Sequence, residues 1–354
     1  MNPRNRTILE DFRKIRNDFL KLGELVDEKL HEIVSETGVK ILAVEHRVKT
    51  EKSLAGKLER NGDWYQCVDD LTDLLGARVI CFFADEVDKI GEAVEKHFLI
   101  DRELSSDKRA IIGADTFGYL SLHYICTVTP DMGYPPEVCG KKFEIQIRTI
   151  LQHTWAAINH DLGYKSEFGV PRVITRQFAR LAGLLELADE EFVRVRDSMN
   201  QYTEQIRQQI IENRADNLRI DTVSLSEFMK RNTEMRKFLN ELAAIGQAEM
   251  SEDNPESYLE QLAWFGIETL GALQNMLREN HTLALALADN ALRNADLDIL
   301  SSNAALHYLC RAKLLTDCRT EDEITAFLTL SVGKEERARR QAKRLLAFAE
   351  EYHP

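Results

Sequence analysis

The sequence has no long hydrophobic run and no closely spaced pair of cysteines. None of its apolar stretches is long enough to cross a membrane, and its charged, amphipathic first residues lack the apolar centre of a secretory signal. The six cysteines form no C-x-x-C motif, which argues against a structural zinc site and against a disulfide framework. We therefore expect a cytoplasmic protein with reduced thiols and no membrane partner.

Positive charge is not in excess either. The 354 residues include 46 Lys and Arg against 59 Asp and Glu, a formal net charge of −13. This balance argues against broad, non-specific binding of nucleic acid. A local basic cluster can still dominate inside a pocket. A hydrophobic fraction of 44% and a charged fraction of 30% are typical of a globular protein with one or two cores of its own.

The two parts of the chain differ in their hydrophobic pattern. Alternating, strand-like segments are interleaved with helical ones at first, and strand signals vanish after about Arg172. We predict an α+β domain over residues 1–205, with a mixed sheet flanked by helices. An all-helical domain is predicted over residues 215–354. Since its polar residues do not converge, a regulatory or interaction role is more typical for it than a second active site.

Four polar clusters occur in the first domain, and the first is basic. Arg47 and Lys49 are two residues apart at the end of a predicted strand, so they share a face. Ser53 and Lys57 are four apart on a predicted helix. Three positive charges and a hydroxyl in one small volume suit a triphosphate. A solvated charged turn is an equally good interpretation of the spacing alone.

The second cluster is acidic. The run from Val68 to Leu75 predicts a helix on which Asp69 and Asp73 share a face, followed by a strand that begins near Arg78. A carboxylate beside phosphates can hold Mg²⁺, and a planar guanidinium can stack on a base or bind phosphate. By itself this cluster is better explained as a helix surface with a salt bridge.

The other two clusters alternate along predicted strands. Tyr119, Ser121 and His123 share one strand face, which can stack a base and hydrogen-bond a ribose or phosphate. Period two likewise places three polar side chains on one face of the strand from 143 to 149, namely Glu144, Gln146 and Arg148. Glu144 is a candidate metal ligand or proton acceptor, and the pattern does not separate the two roles.

The order of these clusters is more specific than any one of them. The chain contains R-x-K-x-x-x-S-x-x-x-K, then D-L-L-G-A-R, then G-Y-x-S-L-H, then E-I-Q-I-R-T. In this order they resemble the synthetase domain of the RelA/SpoT family. The following H-T-W-A-A-I-N-H-D-L-G-Y-K resembles a helix of its small standalone members. The resemblance covers roughly residues 10–200.

The resemblance implies a nucleotidyltransferase-like fold and a Mg²⁺-dependent GTP pyrophosphokinase. Such an enzyme transfers pyrophosphate from ATP to the 3′-hydroxyl of GDP or GTP, giving AMP and (p)ppGpp, the alarmone of the stringent response. Carried over by position, Arg47 and Arg78 would sandwich the adenine. Lys49, Ser53 and Lys57 would bind the ATP phosphates.

The same resemblance assigns the metal and the acceptor. Asp73 and Glu144 would hold Mg²⁺, and with His123 and Gln146 they are the candidate catalytic residues. Five residues would form the acceptor site, with the first stacking on the base: Tyr119, Ser121, His123, Gln146 and Arg148.

Two features leave the acceptor and the activity open. The segment before G-Y-x-S-L-H lacks the D-Y-I-x-x-P-K-x-N motif of many guanosine-using members. One branch of the family modifies the 3′ end of tRNA as a toxin, and Arg172, Arg176 and Arg180 form a basic stripe that suits such a partner. Pairing of the stripe with local acids is a simpler explanation. An inactive nucleotide-binding sensor is the third alternative.

Three further expectations concern the surroundings of the site. We predict synthesis without hydrolysis, because the residues before the synthetase region are too few for a hydrolase domain. His153 and His160 are interpreted as structural or supporting residues, and Trp155 as a core residue. The resemblance also implies a homo-oligomer.

Overall fold

The computed structural model describes residues 2–107, 121–164, 171–293, 295, 297–318 and 320–352. The chain divides into two compact units, Met1–Arg196 and Asp197–Pro354. In the described part, no helix is both long and apolar enough to span a bilayer. The regulatory role assigned to the second unit and the homo-oligomer stay predictions.

A five-stranded mixed sheet is the centre of the first unit. Its strands are β1 (Ile41–Val48), β2 (Leu75–Cys81), β3 (Leu99–Asp107), β4 (Leu122–Thr127) and β5 (Phe143–Thr149). Their order in space is β1-β2-β5-β4-β3, and only β2 and β5 run parallel. The predicted α+β fold with a mixed sheet is confirmed.

Alternation along the strands separates a core face from a polar face. On β5, Phe143, Ile145 and Ile147 are fully buried in the core of the unit. Helices α1 (Pro3–Thr37) and α3 (Glu86–His97) supply the apolar side chains that pack on this face. The β5 residues that alternate with these three apolar side chains therefore project from the opposite face of the sheet.

Helix α1 has clear signals at both ends. The side chain of Asn2 accepts a hydrogen bond from the amide of Asn5, and proline occupies the first helical position. Gly38 ends the helix at a φ of 67°, a left-handed conformation that glycine adopts without steric cost. These caps hold α1 at the length that its apolar stripe requires.

The other helices of this unit are α2 (Glu51–Asn61), α4 (Ile150–Tyr164) and α5, whose range Arg172–Ile211 includes the boundary between the units. The predicted helix from Val68 to Leu75 is wrong. Only a single 3₁₀ turn forms at Val68–Asp70, because the backbone becomes extended at Leu71, whose side chain is buried in the core. Asp69 and Asp73 therefore do not share a helix face.

The second unit is built from helices around one apolar core. They are α6 (Thr222–Arg231), α7 (Thr233–Gly246), α8 (Leu259–Trp264), α9 (Leu270–Leu292), α10 (Ala304–Asp317), α11 (Glu321–Val332) and α12 (Glu335–Glu351). Phe228, Phe238 and Phe327 are buried in this core. The predicted helical region is confirmed, with one short parallel pair of strands in addition, β6 (Glu249–Ser251) and β7 (Ile299–Ser301).

Close packing in the second unit depends on a glycine. A Cβ added to Gly271 would lie 2.7 Å from the carbonyl oxygen and 2.9 Å from the Cα of Asp216. Backbone atoms cannot give way like a flexible side chain, so we expect Gly271→Ala to lower the free energy of unfolding by about 1–3 kcal/mol. Chemical denaturation measures the change. The matched control is Gly56→Ala in α2, where the added Cβ meets nothing within 4 Å, and equal losses in the two variants would refute the prediction.

A buried acid predicts a pH-dependent stability. Asp189 on α5 is 4% exposed, and its Oδ2 accepts a 2.7 Å hydrogen bond from the hydroxyl of Thr149. Its Oδ1 has no partner among the described residues. Burial raises the pKa of Asp189 to about 6, against a smaller, opposite effect of the Thr149 hydrogen bond.

Because this pKa is higher in the folded than in the unfolded chain, the folded state binds the extra proton between about pH 4 and 6. Stability should therefore fall as the pH rises through this window and then stay level. The quantity to measure is the free energy of unfolding of Asp189→Asn minus that of the unchanged chain. We expect this difference to be about 2 kcal/mol more favourable to the variant at pH 7.5 than at pH 4.5. Asp131→Asn, at an exposed position, is the control. A difference that does not vary with pH would contradict the assignment.

Candidate active site

The polar face of the sheet carries a row of side chains from four adjacent strands. Glu45 on β1 pairs in register with Arg78 on β2, and Arg78 pairs with Gln146 on β5. Gln146 in turn pairs with His123 on β4. Since residues in register lie side by side, segments far apart in sequence meet in one line.

The acidic and basic clusters meet beside this row. Asp73 lies just before β2, and its two carboxylate oxygens are each 2.8 Å from an ammonium nitrogen, Oδ2 from Lys49 and Oδ1 from Lys57. The amide of Lys49 bonds to the carbonyl of Leu74 at 2.8 Å, which keeps the end of β1 beside the start of β2. Burial opposes ionisation of Asp73, but the two lysines outweigh it and hold its pKa below the usual range. For Lys57 the balance is similar: burial opposes its charge, and Asp73 raises its pKa.

Glu144 is the second carboxylate of the site. Its Oε1 lies 2.7 Å from Nδ1 of His123, and its Oε2 accepts a 2.8 Å hydrogen bond from the amide of Gln146. Burial opposes the ionised form, yet these hydrogen bonds lower the pKa of Glu144 below its ordinary value. The amide oxygen of Gln146 accepts from Arg78 at 3.4 Å and also from Arg148. The glutamine therefore connects the carboxylate to two guanidinium groups.

Two cavities open on this face and share a wall. One has a volume of about 640 Å³ and contains most of the predicted ATP and metal residues: Arg47, Lys49, Asp73, Arg78 and Glu144. The other, of about 450 Å³, contains three of the predicted acceptor residues: His123, Gln146 and Arg148. Both are lined by Arg47, Arg78, Gln146 and His160. The structure thus brings the donor and acceptor sets together at adjoining positions.

Three of the predicted site residues that the structure describes line neither cavity. Lys57 lies beside the larger cavity, where it contacts Asp73. Ser53 lies in the first turn of α2, one turn from Lys57, and lines neither cavity. Ser121 is fully buried before β4, and its hydroxyl has no hydrogen-bond partner in the described part of the chain. Tyr119 lies outside the described residues. Their assigned contacts stay predictions.

Helix α4 forms a wall that the sequence reasoning treated only as support. His153 and His160 line the second cavity, with Ala156 and Ala157 between them. The spacing of seven residues was the available signal, since it places both imidazoles on one helix face. Burial, and then Arg148, lower the pKa of His153 and favour its neutral form. Trp155 is half-buried, and its indole nitrogen donates a 3.3 Å hydrogen bond to the carbonyl of Phe178 on α5.

Glu45 is a second residue that the sequence reasoning missed. Its carboxylate lies 3.5 Å from the guanidinium of Arg78 and lines the larger cavity. The signal was its position two residues before Arg47 on the same strand face. Arg172, Arg176 and Arg180 are exposed on α5 and line neither cavity.

Comparison with known proteins identifies this arrangement. Residues 46–168 match the family model described as "Region found in RelA / SpoT proteins". This chain contains a RelA/SpoT region. The matched RelA/SpoT region contains every residue that the sequence motifs assigned to the site, and the predicted resemblance is confirmed.

Two curated relatives of this chain are named for their activity. GTP pyrophosphokinase YwaC from Bacillus subtilis (strain 168) is 28% identical over 163 residues, which are 44% of this chain and 76% of the relative. GTP pyrophosphokinase YjbM from the same organism is 28% identical over 162 residues, 44% of this chain and 72% of that relative.

Solved structures are similar over a somewhat larger share of the chain, 54% against 44%. The small alarmone synthetase 1 from Bacillus subtilis has 24% identity and a TM-score of 0.45, with 54% of this chain and 99% of that chain covered. A GTP pyrophosphokinase family protein from Streptococcus pneumoniae has 26% identity and a TM-score of 0.46, with 54% and 96% covered.

Proposed function

We propose that the chain transfers pyrophosphate from ATP to the 3′-hydroxyl of GDP or GTP, releasing AMP and forming (p)ppGpp. The observation that carries the proposal is the pair of adjoining cavities with a shared wall of Arg47, Arg78 and Gln146. Direct transfer between two nucleotides requires that the donor phosphates and the acceptor hydroxyl meet at one point. The activity of the curated relatives supports the same reaction.

The larger cavity suits the donor. Lys49 lines it and Lys57 lies beside it, and Asp73 fixes their ammonium groups near each other, where they can bind phosphate oxygens. Phosphoryl-type transfer spreads negative charge over those oxygens, so fixed cations stabilise the transition state. Arg47 and Arg78 present planar guanidinium groups that can stack on the adenine.

The carboxylates fit a magnesium ion that arrives with phosphates. Asp73 and Glu144 line the same cavity, and in the described residues no group of three His, Cys, Asp or Glu side chains is placed to hold a metal. Mg²⁺ is typically bound by one or two carboxylates plus substrate phosphates, so two protein ligands are sufficient. We infer that Asp73 and Glu144 hold it. When bound, Mg²⁺ would neutralise charge on the transferred group.

The smaller cavity suits the acceptor. Arg148 and Gln146 offer hydrogen-bond donors to an acceptor nucleotide, and His123 is held at 2.7 Å by Glu144. We assign the removal of the proton from the attacking hydroxyl to the pair formed by His123 and Glu144. The lowered pKa of Glu144 weakens it as a base, which supports metal binding as its main role.

A transfer assay with ATP labelled in the γ-phosphate tests the proposal. GDP, GTP and deacylated tRNA are offered separately, with and without Mg²⁺. We expect label on GDP or GTP, dependent on the metal. Label on tRNA alone would instead support the toxin-type reaction and make the arginine stripe of α5 the next target. No transfer to any acceptor, with ATP binding intact, would support a nucleotide-binding sensor.

A further inference from the structure

The two lysines that contact Asp73 are placed to control when a metal can bind. We propose that Lys49 and Lys57 lock Asp73 until a triphosphate arrives, so that the divalent ion enters with the nucleotide and not before it. This inference rests on the proposed function and adds to it an order of binding. We call the contact between Lys49, Asp73 and Lys57 the carboxylate lock.

Both oxygens of Asp73 are engaged in the lock. Each lies 2.8 Å from an ammonium nitrogen, the distance of a charge-assisted hydrogen bond. The side chains are mostly shielded from water, with exposures of 12% for Lys49, 23% for Lys57 and 28% for Asp73. A divalent cation that approached Asp73 would meet two positive charges at short range, where water screens them poorly.

Glu144 does not offer an alternative site by itself. Its two oxygens contact His123 at 2.7 Å and Gln146 at 2.8 Å. With both oxygens already hydrogen-bonded, Glu144 can supply only one carboxylate ligand to a metal ion. A single carboxylate binds a hard divalent ion weakly. Tight metal binding therefore requires Asp73, which the lock withholds.

A triphosphate opens the lock by exchanging partners. Its oxygens carry several negative charges and compete with Asp73 for the ammonium groups of Lys49 and Lys57. Once the lysines bind phosphate, Asp73 loses its two cationic neighbours and becomes available to the metal that the phosphates bring. The same two lysines thus oppose free metal and favour the metal–nucleotide complex.

Electron paramagnetic resonance of Mn²⁺ measures this directly on the full chain, without any transfer. Mn²⁺ is titrated alone and then with the α,β-methylene analogue of ATP, which cannot donate its pyrophosphate. We expect weak binding of Mn²⁺ alone and strong binding with the analogue. In Lys57→Gln and Lys49→Gln, affinity for Mn²⁺ alone should rise about tenfold or more, as groups adjoining a metal ligand change metal affinity by about 10–100-fold.

The two lysine variants should change the affinity for Mn²⁺ alone and the affinity for Mn²⁺ with the analogue in opposite directions. Losing a lysine opens Asp73 but removes a phosphate ligand, so binding of Mn²⁺ with the analogue should weaken. A general loss of structure would weaken both. Lys52→Gln, at an exposed position on α2, should change neither affinity.

Two results would overturn the lock. One is binding of Mn²⁺ alone to the unchanged chain as tightly as with the analogue. The other is an unchanged or lower affinity for Mn²⁺ alone in both lysine variants. Failure of the analogue to bind at all would count against the proposed function, while the titrations with Mn²⁺ alone would still decide the lock.

Discussion

Replacing Asp73 with asparagine should reduce pyrophosphate transfer by at least about 100-fold, because the site loses a charged ligand for the metal that stabilises the transferred group. Asparagine keeps the size of the side chain but cannot balance two ammonium groups. Lys49 and Lys57, each 2.8 Å from Asp73, are then free to bind phosphate. We therefore expect the loss in kcat and little or no loss of ATP affinity. Initial rates measured at varied ATP concentrations separate the effect on kcat from the effect on ATP affinity.

A matched control distinguishes this effect from a general loss of acidic charge. Asp69 is exposed and lies four residues earlier, and Asp69→Asn should keep full activity. Circular dichroism should show the same secondary structure in both variants. Full activity in Asp73→Asn would refute its role as a metal ligand and remove the basis for the carboxylate lock.

Replacing Glu144 with glutamine should have a comparable effect, again about 100-fold or more, since either of its candidate roles requires a carboxylate. The change also disturbs a buried hydrogen-bonded set. Both oxygens of Glu144 face donors, the amide of Gln146 and the ring of His123. A glutamine must turn its own NH₂ group toward one of them. Single-turnover rates with ATP and GDP measure the loss.

The same variant separates the two roles that the sequence leaves open. If Glu144 is a metal ligand, binding of Mn²⁺ with the ATP analogue should fall together with the rate. If it is chiefly a proton acceptor, the rate should fall while Mn²⁺ binding is retained. Glu92→Gln is the control, at an exposed position on α3, the helix that packs on the other face of the sheet. An active Glu144→Gln variant would contradict both roles.

Local patterns in the sequence were sufficient to predict several features of the first unit. Period two identified β5 and placed Glu144, Gln146 and Arg148 on one face, because a strand directs successive side chains to opposite sides. The ordered motifs in turn gave the resemblance to the RelA/SpoT family. These features depend only on neighbours in the chain.

The pattern failed where burial in the core overrides helical spacing. The segment before β2 has helical spacing, yet the backbone becomes extended at Leu71, and Leu71 and Leu74 are buried in the core. As a result, Asp73 lies at the entrance to β2 between two lysines, not on a helix with Asp69. Spacing alone could not show this, because the core that buries these leucines is built from segments distant in the sequence.

The sequence by itself determined which chemical groups this protein has and which of them share a strand. Only the tertiary structure decided which groups meet. Arg78 and Gln146 are 68 residues apart, and they are neighbours because β2 and β5 pair in parallel in one register. Asp73 contacts lysines 24 and 16 residues away for a similar reason. Register and strand order depend on the burial of the whole apolar face, a sum over many residues that no short motif contains.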